Sequence, residues 1–138
     1  MRYLIDTNVL VNIIENDLIT DDVFAILYDY SNQIYISSES IKEFILLMQT
    51  GKISGIKGKT IRDIFDFIEH ELGYTVKYVT KEHLCTFAKL DKVEGHNDPC
   101  DRLIIAQALT EKIPLISSDA KFPRYRKQGL DFVFNRKN

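Results

Sequence analysis

Apolar positions along the chain follow two spacings, which separate predicted strands from predicted helices. Short apolar runs rich in β-branched and aromatic residues predict five strands: Arg2–Ile5, Gln33–Ser37, Thr75–Val79, Ile113–Ser117 and Asp131–Asn135. Apolar residues three or four positions apart predict helices, which include Val9 to Ile14, then Asp21–Tyr30, Ser38–Gln49, Thr60–Leu72, Lys81–Leu90, Asp98–Lys112 and a short turn at Ala120–Arg126. Strands therefore alternate with helices along the chain.

Helix boundaries are marked by residues with suitable local chemistry. Asp98 followed by Pro99 is an N-cap and first-turn combination that typically starts a helix. Asp6-Thr7-Asn8 offers turn and capping chemistry after the first strand, and Gly73 is a suitable helix stop. Three glycines break the chain after the third predicted helix: Gly51, Gly55 and Gly58.

The alternation indicates an α/β fold, with a parallel sheet covered by helices on both faces. A chain of 138 residues fits one compact domain, which we take as residues 1–138. In such folds a ligand binds outside the carboxyl ends of the strands. Functional residues are therefore expected at that edge.

The composition is that of an ordinary globular protein, with 45% hydrophobic and 28% charged residues. No apolar stretch is long enough for a bilayer and no signal peptide is recognisable, so we expect a soluble, cytoplasmic protein. The two cysteines, Cys85 and Cys100, are too few for a disulfide framework. The net charge of −2 does not indicate a nucleic-acid binder, although the segment from Lys121 to Asn138 is strongly basic.

Four acids fall at or near the predicted carboxyl edge of the sheet. Asp6 comes directly after the first strand, and Asp119 comes two residues after the Ile113–Ser117 strand. Glu43 lies early in a helix that follows a strand, and such helices begin at the carboxyl edge. Asp101 lies in the first turn of a helix that precedes a strand, so the pattern alone does not fix its end of the sheet.

Clustered carboxylates need a compensating charge, because like charges at short range raise one another's pKa or move apart. A hard divalent cation supplies that charge, and both Mg²⁺ and Mn²⁺ prefer oxygen ligands. A zinc site from His83, Cys85, His96 and Cys100 is disfavoured, because residues two apart on a helix point to different sides. The acids therefore indicate a Mg²⁺ or Mn²⁺ site.

Four segments also carry a resemblance to a known family: Leu4–Leu10 (LIDTNVL), Ser40–Phe44 (SIKEF), Asp98–Ala108 (DPCDRLIIAQA) and Leu115–Asp119 (LISSD). Their order and spacing span nearly the whole chain, and the third segment is the most specific. With these segments the chain resembles the PIN-domain superfamily. It is most similar to the VapC-type ribonuclease toxins of bacterial type II toxin–antitoxin systems.

The resemblance implies a three-layer α/β/α sandwich with a central parallel sheet and Rossmann-like topology. It implies that the catalytic acids are Asp6, Glu43, Asp101 and Asp119, and that Asp6, Asp101 and Asp119 hold Mg²⁺ or Mn²⁺. Metal-activated water would then hydrolyse RNA phosphodiester bonds. The implied partners are the RNA substrate, a cognate antitoxin whose C-terminal segment lies over the active site, and a second copy in a homodimer.

Further residues receive supporting roles. Ser117 maps onto the family's accessory hydroxyl, Asn8 onto a small polar position near the site, and Thr7 is a further candidate for orienting water or a carboxylate. Asp98 is interpreted as a helix cap beside the site. Three basic residues are candidates for contacts with the RNA backbone: Lys121, Arg124 and Arg126.

Structural interpretations of the same acids remain open at this point. Asp6 and Asp119 could each cap a turn or helix, Asp101 occupies a position that the helix dipole favours for any acid, and Glu39 is a rival to Glu43. The alternative functions are a catalytically silent PIN-like module that binds RNA or protein, and a Mg²⁺-dependent phosphatase or receiver-like domain. Phosphatases of the haloacid dehalogenase type need a second acid where this chain has Asn8.

Overall fold

Five parallel strands form the centre of the molecule. The computed structural model describes residues 1–53, 56 and 58–136. Gly55 and the last two residues of the basic segment, Lys137 and Asn138, lie outside the described residues. The strands are β1 (Arg2–Ile5), β2 (Gln33–Ser37), β3 (Thr75–Lys77), β4 (Leu115–Ser117) and β5 (Phe132–Phe134). Their order in the sheet is β3-β2-β1-β4-β5 and every neighbouring pair is parallel, which confirms the predicted sheet.

Helices connect the strands in the predicted α/β pattern. They are α1 (Thr7–Ile14), α2 (Asp21–Leu27), α3 (Ser38–Gln49), α4 (Ile61–Asp66), α5 (Lys81–Lys89) and α6 (Pro99–Glu111). A wider π-helical turn, Phe67–Glu71, continues α4, and a 3₁₀ helix covers Phe122–Gln128. No helix in these described ranges is long and apolar enough to cross a membrane.

Each face of the sheet has its own apolar core, because successive side chains of a strand point to opposite faces. In β1, Ile5 belongs to the core that α1, α2, α3 and α4 cover, whereas Leu4 belongs to the core that α6 and the 3₁₀ helix cover. Ile116 and Leu115 in β4 divide in the same way. Helices therefore cover both faces, which confirms the three-layer α/β/α sandwich.

The sheet has a topological switch point beside its central strand. The first crossover leads from β1 to β2 on one side, whereas β4 pairs with the other side of β1. In open α/β sheets, a crevice forms at such a point outside the carboxyl ends of the strands. The residues that directly follow β1 and β4 therefore face one another across this crevice.

Several elements are shorter than the apolar pattern indicates. β4 begins at Leu115 rather than Ile113, because Lys112 adopts a left-handed conformation (φ 56°) and the Ile113 amide still donates to the Ala108 carbonyl (3.1 Å). β3 ends at Lys77, and the amide of Val79 instead donates to the Ser38 hydroxyl (3.2 Å). Polar contacts at the helix ends thus set these boundaries.

Candidate metal centre

An acidic cleft of about 320 Å³ lies at the switch point between β1 and β4. Five acids line it: Asp6, Glu43, Asp98, Asp101 and Asp119. They come from the end of β1, from α3, from the start of α6 and from the turn after β4. The fold therefore brings together in one cleft all four acids that the sequence nominates as catalytic, and it settles the end of the sheet at which Asp101 lies.

Asp6 is fixed by three hydrogen bonds at the bottom of the cleft. Its Oδ1 accepts from the Thr7 amide (2.8 Å), and its Oδ2 accepts from the Ser117 hydroxyl (2.8 Å) and the Asn8 side-chain amide (3.1 Å). Burial raises the pKa of Asp6 to about 7, and the charges of Glu43 and Asp119 add to the rise, whereas the Ser117 and Thr7 hydrogen bonds oppose it. Asp6 therefore caps α1 and also presents a carboxylate to the cleft.

Asn8 and Ser117 join the ends of β1 and β4. The Asn8 side chain donates to the Ser117 hydroxyl (3.2 Å) and accepts from the Ser118 amide (3.1 Å). The Ser117 hydroxyl also accepts from the Asp119 amide (3.0 Å). These two predicted accessory residues thus hold the Asp6 carboxylate and the backbone of Ser118 and Asp119 in place beside the cleft.

Asp101 lies among the other acids that line the cleft. Burial raises its pKa to about 8, and the charges of Asp6, Asp98, Glu43 and Asp119 add to that rise. Its own position at the start of α6 is set by Asp98, whose Oδ1 accepts from the amides of Cys100 (2.9 Å) and Asp101 (3.3 Å). Asp98 is therefore a helix cap, as the sequence indicates, and its charge also acts on the cleft.

Glu43, rather than its rival Glu39, faces the cleft. Glu39 lies one turn earlier on α3 and forms an ion pair with Lys42 (2.6 Å). The backbone carbonyl of Glu39 also accepts from the Cys100 thiol (3.6 Å). α3 thus contributes Glu43 to the cleft, whereas Glu39 pairs with a lysine of the same helix.

The donor groups in the cleft fit a hard divalent cation. Glu43, Asp98 and Asp101 can each offer an oxygen within 4.8 Å of the others, and His96, Asp101 and Asp119 form a second such group. Two buried polar atoms of cleft-lining residues, the Thr7 hydroxyl and the Asn12 amide nitrogen, have no hydrogen-bond partner among the described residues. A cleft lined by five carboxyl groups suits Mg²⁺ or Mn²⁺, which prefer oxygen ligands.

Two of the three predicted RNA contacts already have partners within the protein. Arg124 donates to the Glu94 carbonyl (2.9 Å), and the Arg126 guanidinium lies over the Phe132 ring (5.6 Å to the centroid). Lys121 is exposed, and its backbone amide donates to the Asp119 carboxylate (2.8 Å). Of the three, Lys121 is thus tied most directly to a cleft acid.

His96 is the site residue that sequence reasoning missed. It is buried, and its Nε2 lies 3.2 Å from Asp101 Oδ2 while its Nδ1 lies 2.6 Å from the Tyr125 hydroxyl. Burial lowers the pKa of His96. Its position five residues before Asp101 is the available signal, whereas the residue pattern around His96 favours neither a zinc site nor a catalytic triad. Of the other zinc candidates, His83 is buried whereas Cys85 is exposed, as expected for residues on different sides of a helix.

Comparisons with known proteins agree with this architecture. No curated protein matches the sequence. The crystal structure of VapBC2 from Rickettsia felis, bound to a DNA fragment from their promoter, matches with a TM-score of 0.71 at 19% identity, over 97% of this chain and 98% of that chain. A toxin–antitoxin complex from Klebsiella pneumoniae matches with a TM-score of 0.66 at 16% identity, over 99% of both chains.

A third solved structure, VapBC-5 from Mycobacterium tuberculosis, is a member of the VapBC family of toxin–antitoxin systems. It matches with a TM-score of 0.58 at 16% identity, over 99% of this chain and 98% of that chain. At these identities the structural matches establish the fold. The sequence model of one family, described as the PIN domain, matches residues 3–128. The chain therefore belongs to the PIN domain family.

Proposed function

We propose that this PIN domain is a metal-dependent ribonuclease, formed as one nuclease domain over residues 1–138. The observation that carries the proposal is the convergence of Asp6, Glu43, Asp101 and Asp119, from four separate elements, in one cleft. Two of these acids have a pKa raised to about 7 and about 8, so they share a strongly negative and partly buried environment. Such perturbed groups concentrated in a cleft are typical of functional sites.

In this proposal Asp6, Asp101 and Asp119 hold Mg²⁺ or Mn²⁺, and Glu43 completes the acidic wall. A divalent cation supplies Lewis acidity, which activates water at neutral pH and offsets the negative charge of the phosphate. Ser117 and Asn8 keep the Asp6 carboxylate in place through their hydrogen bonds. Thr7 also lines this cleft, and we assign to its hydroxyl, which is buried and has no hydrogen-bond partner among the described residues, the role of orienting a bound water or a carboxylate.

We further propose that the protein is the toxin of a type II toxin–antitoxin pair and acts in the cytoplasm. Support comes from the resemblance of its motifs to VapC-type toxins and from its fold, which is shared with a toxin–antitoxin complex and a VapBC family member. In that setting its partners are RNA, a second copy of the chain and a cognate antitoxin. The antitoxin's C-terminal segment would cover the acidic cleft and exclude the substrate.

The nuclease proposal is tested with the purified full chain and a structured RNA, with a DNA strand of the same sequence alongside. Asp6→Asn and Asp101→Asn should stay folded and lose Mg²⁺-dependent RNA cleavage by about 100-fold or more, because loss of a supporting group alone typically costs 10–100-fold. Asp66→Asn, which removes an exposed acid on α4, is the matched control and should cleave like the wild type.

Three outcomes separate the proposal from its alternatives. Cleavage that EDTA abolishes and Mg²⁺ restores is the expected result. RNA binding without cleavage by the wild type would indicate a catalytically silent binding module. Hydrolysis of a phosphate monoester in place of RNA would indicate the phosphatase alternative. Normal RNA cleavage by both Asp→Asn variants would remove the assignment of these acids.

A further inference from the structure

His96 lies between the acidic cleft and the apolar core that α6 and the 3₁₀ helix cover. Its ring packs edge-on against Phe122 (centroids 5.6 Å apart) and Tyr125 (5.3 Å), and both of those aromatic side chains are fully buried. The preceding turn is fixed by a hydrogen bond from the His96 amide to the Val93 carbonyl (3.1 Å) and by Gly95, which adopts a left-handed conformation (φ 78°). Aromatic packing against the ring and the fixed turn in the backbone therefore both hold the imidazole in place.

Both ring nitrogens of His96 have partners, and the chemistry of those partners fixes which nitrogen carries the proton. Nε2 lies 3.2 Å from Asp101 Oδ2. When Asp101 binds a cation it is ionised, and an ionised carboxylate can only accept a hydrogen bond. Nε2 must then carry the hydrogen. In a neutral ring Nδ1 is left as an acceptor, and the Tyr125 hydroxyl at 2.6 Å donates to it.

We propose that His96 is a positioning residue for the cation site, which holds the Asp101 carboxylate in its binding orientation while the Tyr125 hydroxyl donates to Nδ1 and so stabilises the required tautomer. This inference rests on the proposed function. Asp101 belongs to both groups of potential ligands, one with Glu43 and Asp98 and one with His96 and Asp119. Its orientation therefore decides whether the acids of the two groups can act on one cation. Hydrogen-bonded partners of this kind tune metal affinity by orienting the ligands themselves.

The same helix provides a matched control at its other end. His83 is also buried, and its Nε2 lies 3.0 Å from Glu111 Oε2. Glu111 and Asp101 both lie on α6, ten residues apart, which corresponds to roughly 15 Å along a helix axis. Glu111 does not line the acidic cleft. Replacing His83 thus removes a similar buried pair and leaves the cleft residues in place.

The decisive measurement is the dissociation constant of Mn²⁺ for the metal-free chain of 138 residues, obtained by isothermal titration calorimetry without substrate. His96→Ala should weaken Mn²⁺ binding by roughly 10–100-fold. His96→Gln should restore much of the affinity, because its side-chain amide can place an N–H near the position of Nε2. Tyr125→Phe, which removes only the hydroxyl, should fall between the wild type and His96→Ala, and His83→Ala should bind Mn²⁺ like the wild type.

Spectroscopy separates positioning from direct coordination. In the Mg²⁺-bound protein, in which Asp101 is ionised, the ¹⁵N resonances of the His96 ring should show a protonated Nε2 and an unprotonated Nδ1, and Tyr125→Phe should disturb that pattern. Pulsed electron paramagnetic resonance of the Mn²⁺ complex should show no directly coordinated ¹⁴N from His96. A strong ¹⁴N coupling that disappears in His96→Gln would make His96 a ligand and overturn the positioning role.

The remaining outcomes distinguish this inference from the proposed function. If Asp6→Asn and Asp101→Asn weaken Mn²⁺ binding while His96→Ala and Tyr125→Phe do not, the metal site stands and the role of His96 is refuted. If the acid variants bind Mn²⁺ like the wild type, the metal site itself fails. Should His96→Ala not fold, wild-type affinity in Tyr125→Phe together with an undisturbed tautomer would refute the inference.

Discussion

Asp6 uses its two carboxylate oxygens for different purposes. Oδ1 accepts from the Thr7 amide and caps α1, whereas Oδ2 accepts from Ser117 and Asn8 beside the acidic cleft. The capping and the functional interpretations of this residue are therefore compatible in one side chain. Because burial strongly favours the protonated acid, the ionised form depends on these donors.

Ser117→Ala should weaken cation binding by roughly 10-fold or more, because it removes a hydrogen bond to Asp6 and another to the Asp119 amide. It should also raise the pKa of Asp6 further, since the Ser117 hydrogen bond lowers it. Mn²⁺ titration of the folded variant measures the first effect. Ser40→Ala is a suitable control, because it removes another fully buried hydroxyl that no described residue hydrogen-bonds.

The metal-free protein should lose stability as the pH rises from about 4 to about 8. Burial raises the pKa of Asp6 to about 7 and that of Asp101 to about 8, from an ordinary value of 3.8. Within this window the folded protein binds more protons than the unfolded chain, so each increase in pH favours unfolding. Melting temperatures recorded in EDTA across the window test this, and Asp101→Asn should flatten the slope. An unchanged slope in that variant would contradict the raised pKa of Asp101.

At the level of elements, α6 connects the core to the cleft. Its first turn carries Asp101, and its middle buries Leu103, Ile104 and Ile105. The start of this helix could be predicted, because Asp98 and Pro99 encode it locally. The contact of His96 with Tyr125, 29 positions later in the chain, could not be predicted, since it depends on how a turn and a 3₁₀ helix pack together.

Two substitutions of Asp98 should separate the effect of its N-cap hydrogen bond from the effect of its charge at the start of α6. Asp98→Ala should cost about 1 kcal/mol of unfolding free energy in the metal-free protein, because it removes the N-cap acceptor. Asp98→Asn keeps a side-chain oxygen that can accept the cap hydrogen bond. Because Asn and Asp are nearly equal as N-caps, this change should alter the free energy of unfolding by only about a few tenths of a kcal/mol. Urea denaturation measures both variants. Equal losses in the two would show that the charge of Asp98, rather than the cap, determines its contribution.

At the level of the whole molecule, the sheet order decides which residues meet. Strands, helices and the α/β class follow from local periodicity, and the edge occupied by Asp6 and Asp119 follows from their place after strands. The order β3-β2-β1-β4-β5 is not encoded in any local pattern, because it depends on long-range pairing between separate strands. The meeting of Glu43 and Asp101 over the switch point was therefore implied only by the family resemblance.

Cation binding should stabilise the whole fold, because the acids come together only in the folded chain. Mg²⁺ or Mn²⁺ at 100 times its dissociation constant should add about 2.7 kcal/mol to the free energy of unfolding. Calorimetry should record this as a rise of several degrees in Tm. Asp101→Asn should remove most of the rise, and an equal rise in that variant would mean that the cation binds elsewhere.

The hydrogen bond between Asp6 and Ser117 joins residues 111 positions apart in the chain. Contacts of such long range are slow to form, because closing a long loop of chain costs conformational entropy. While the protein is being synthesised, Asp6, Glu43 and Asp101 leave the ribosome before β4 can pair with β1. A nascent chain thus carries an incomplete cluster of acids. The complete cluster forms only after β4 has joined the sheet.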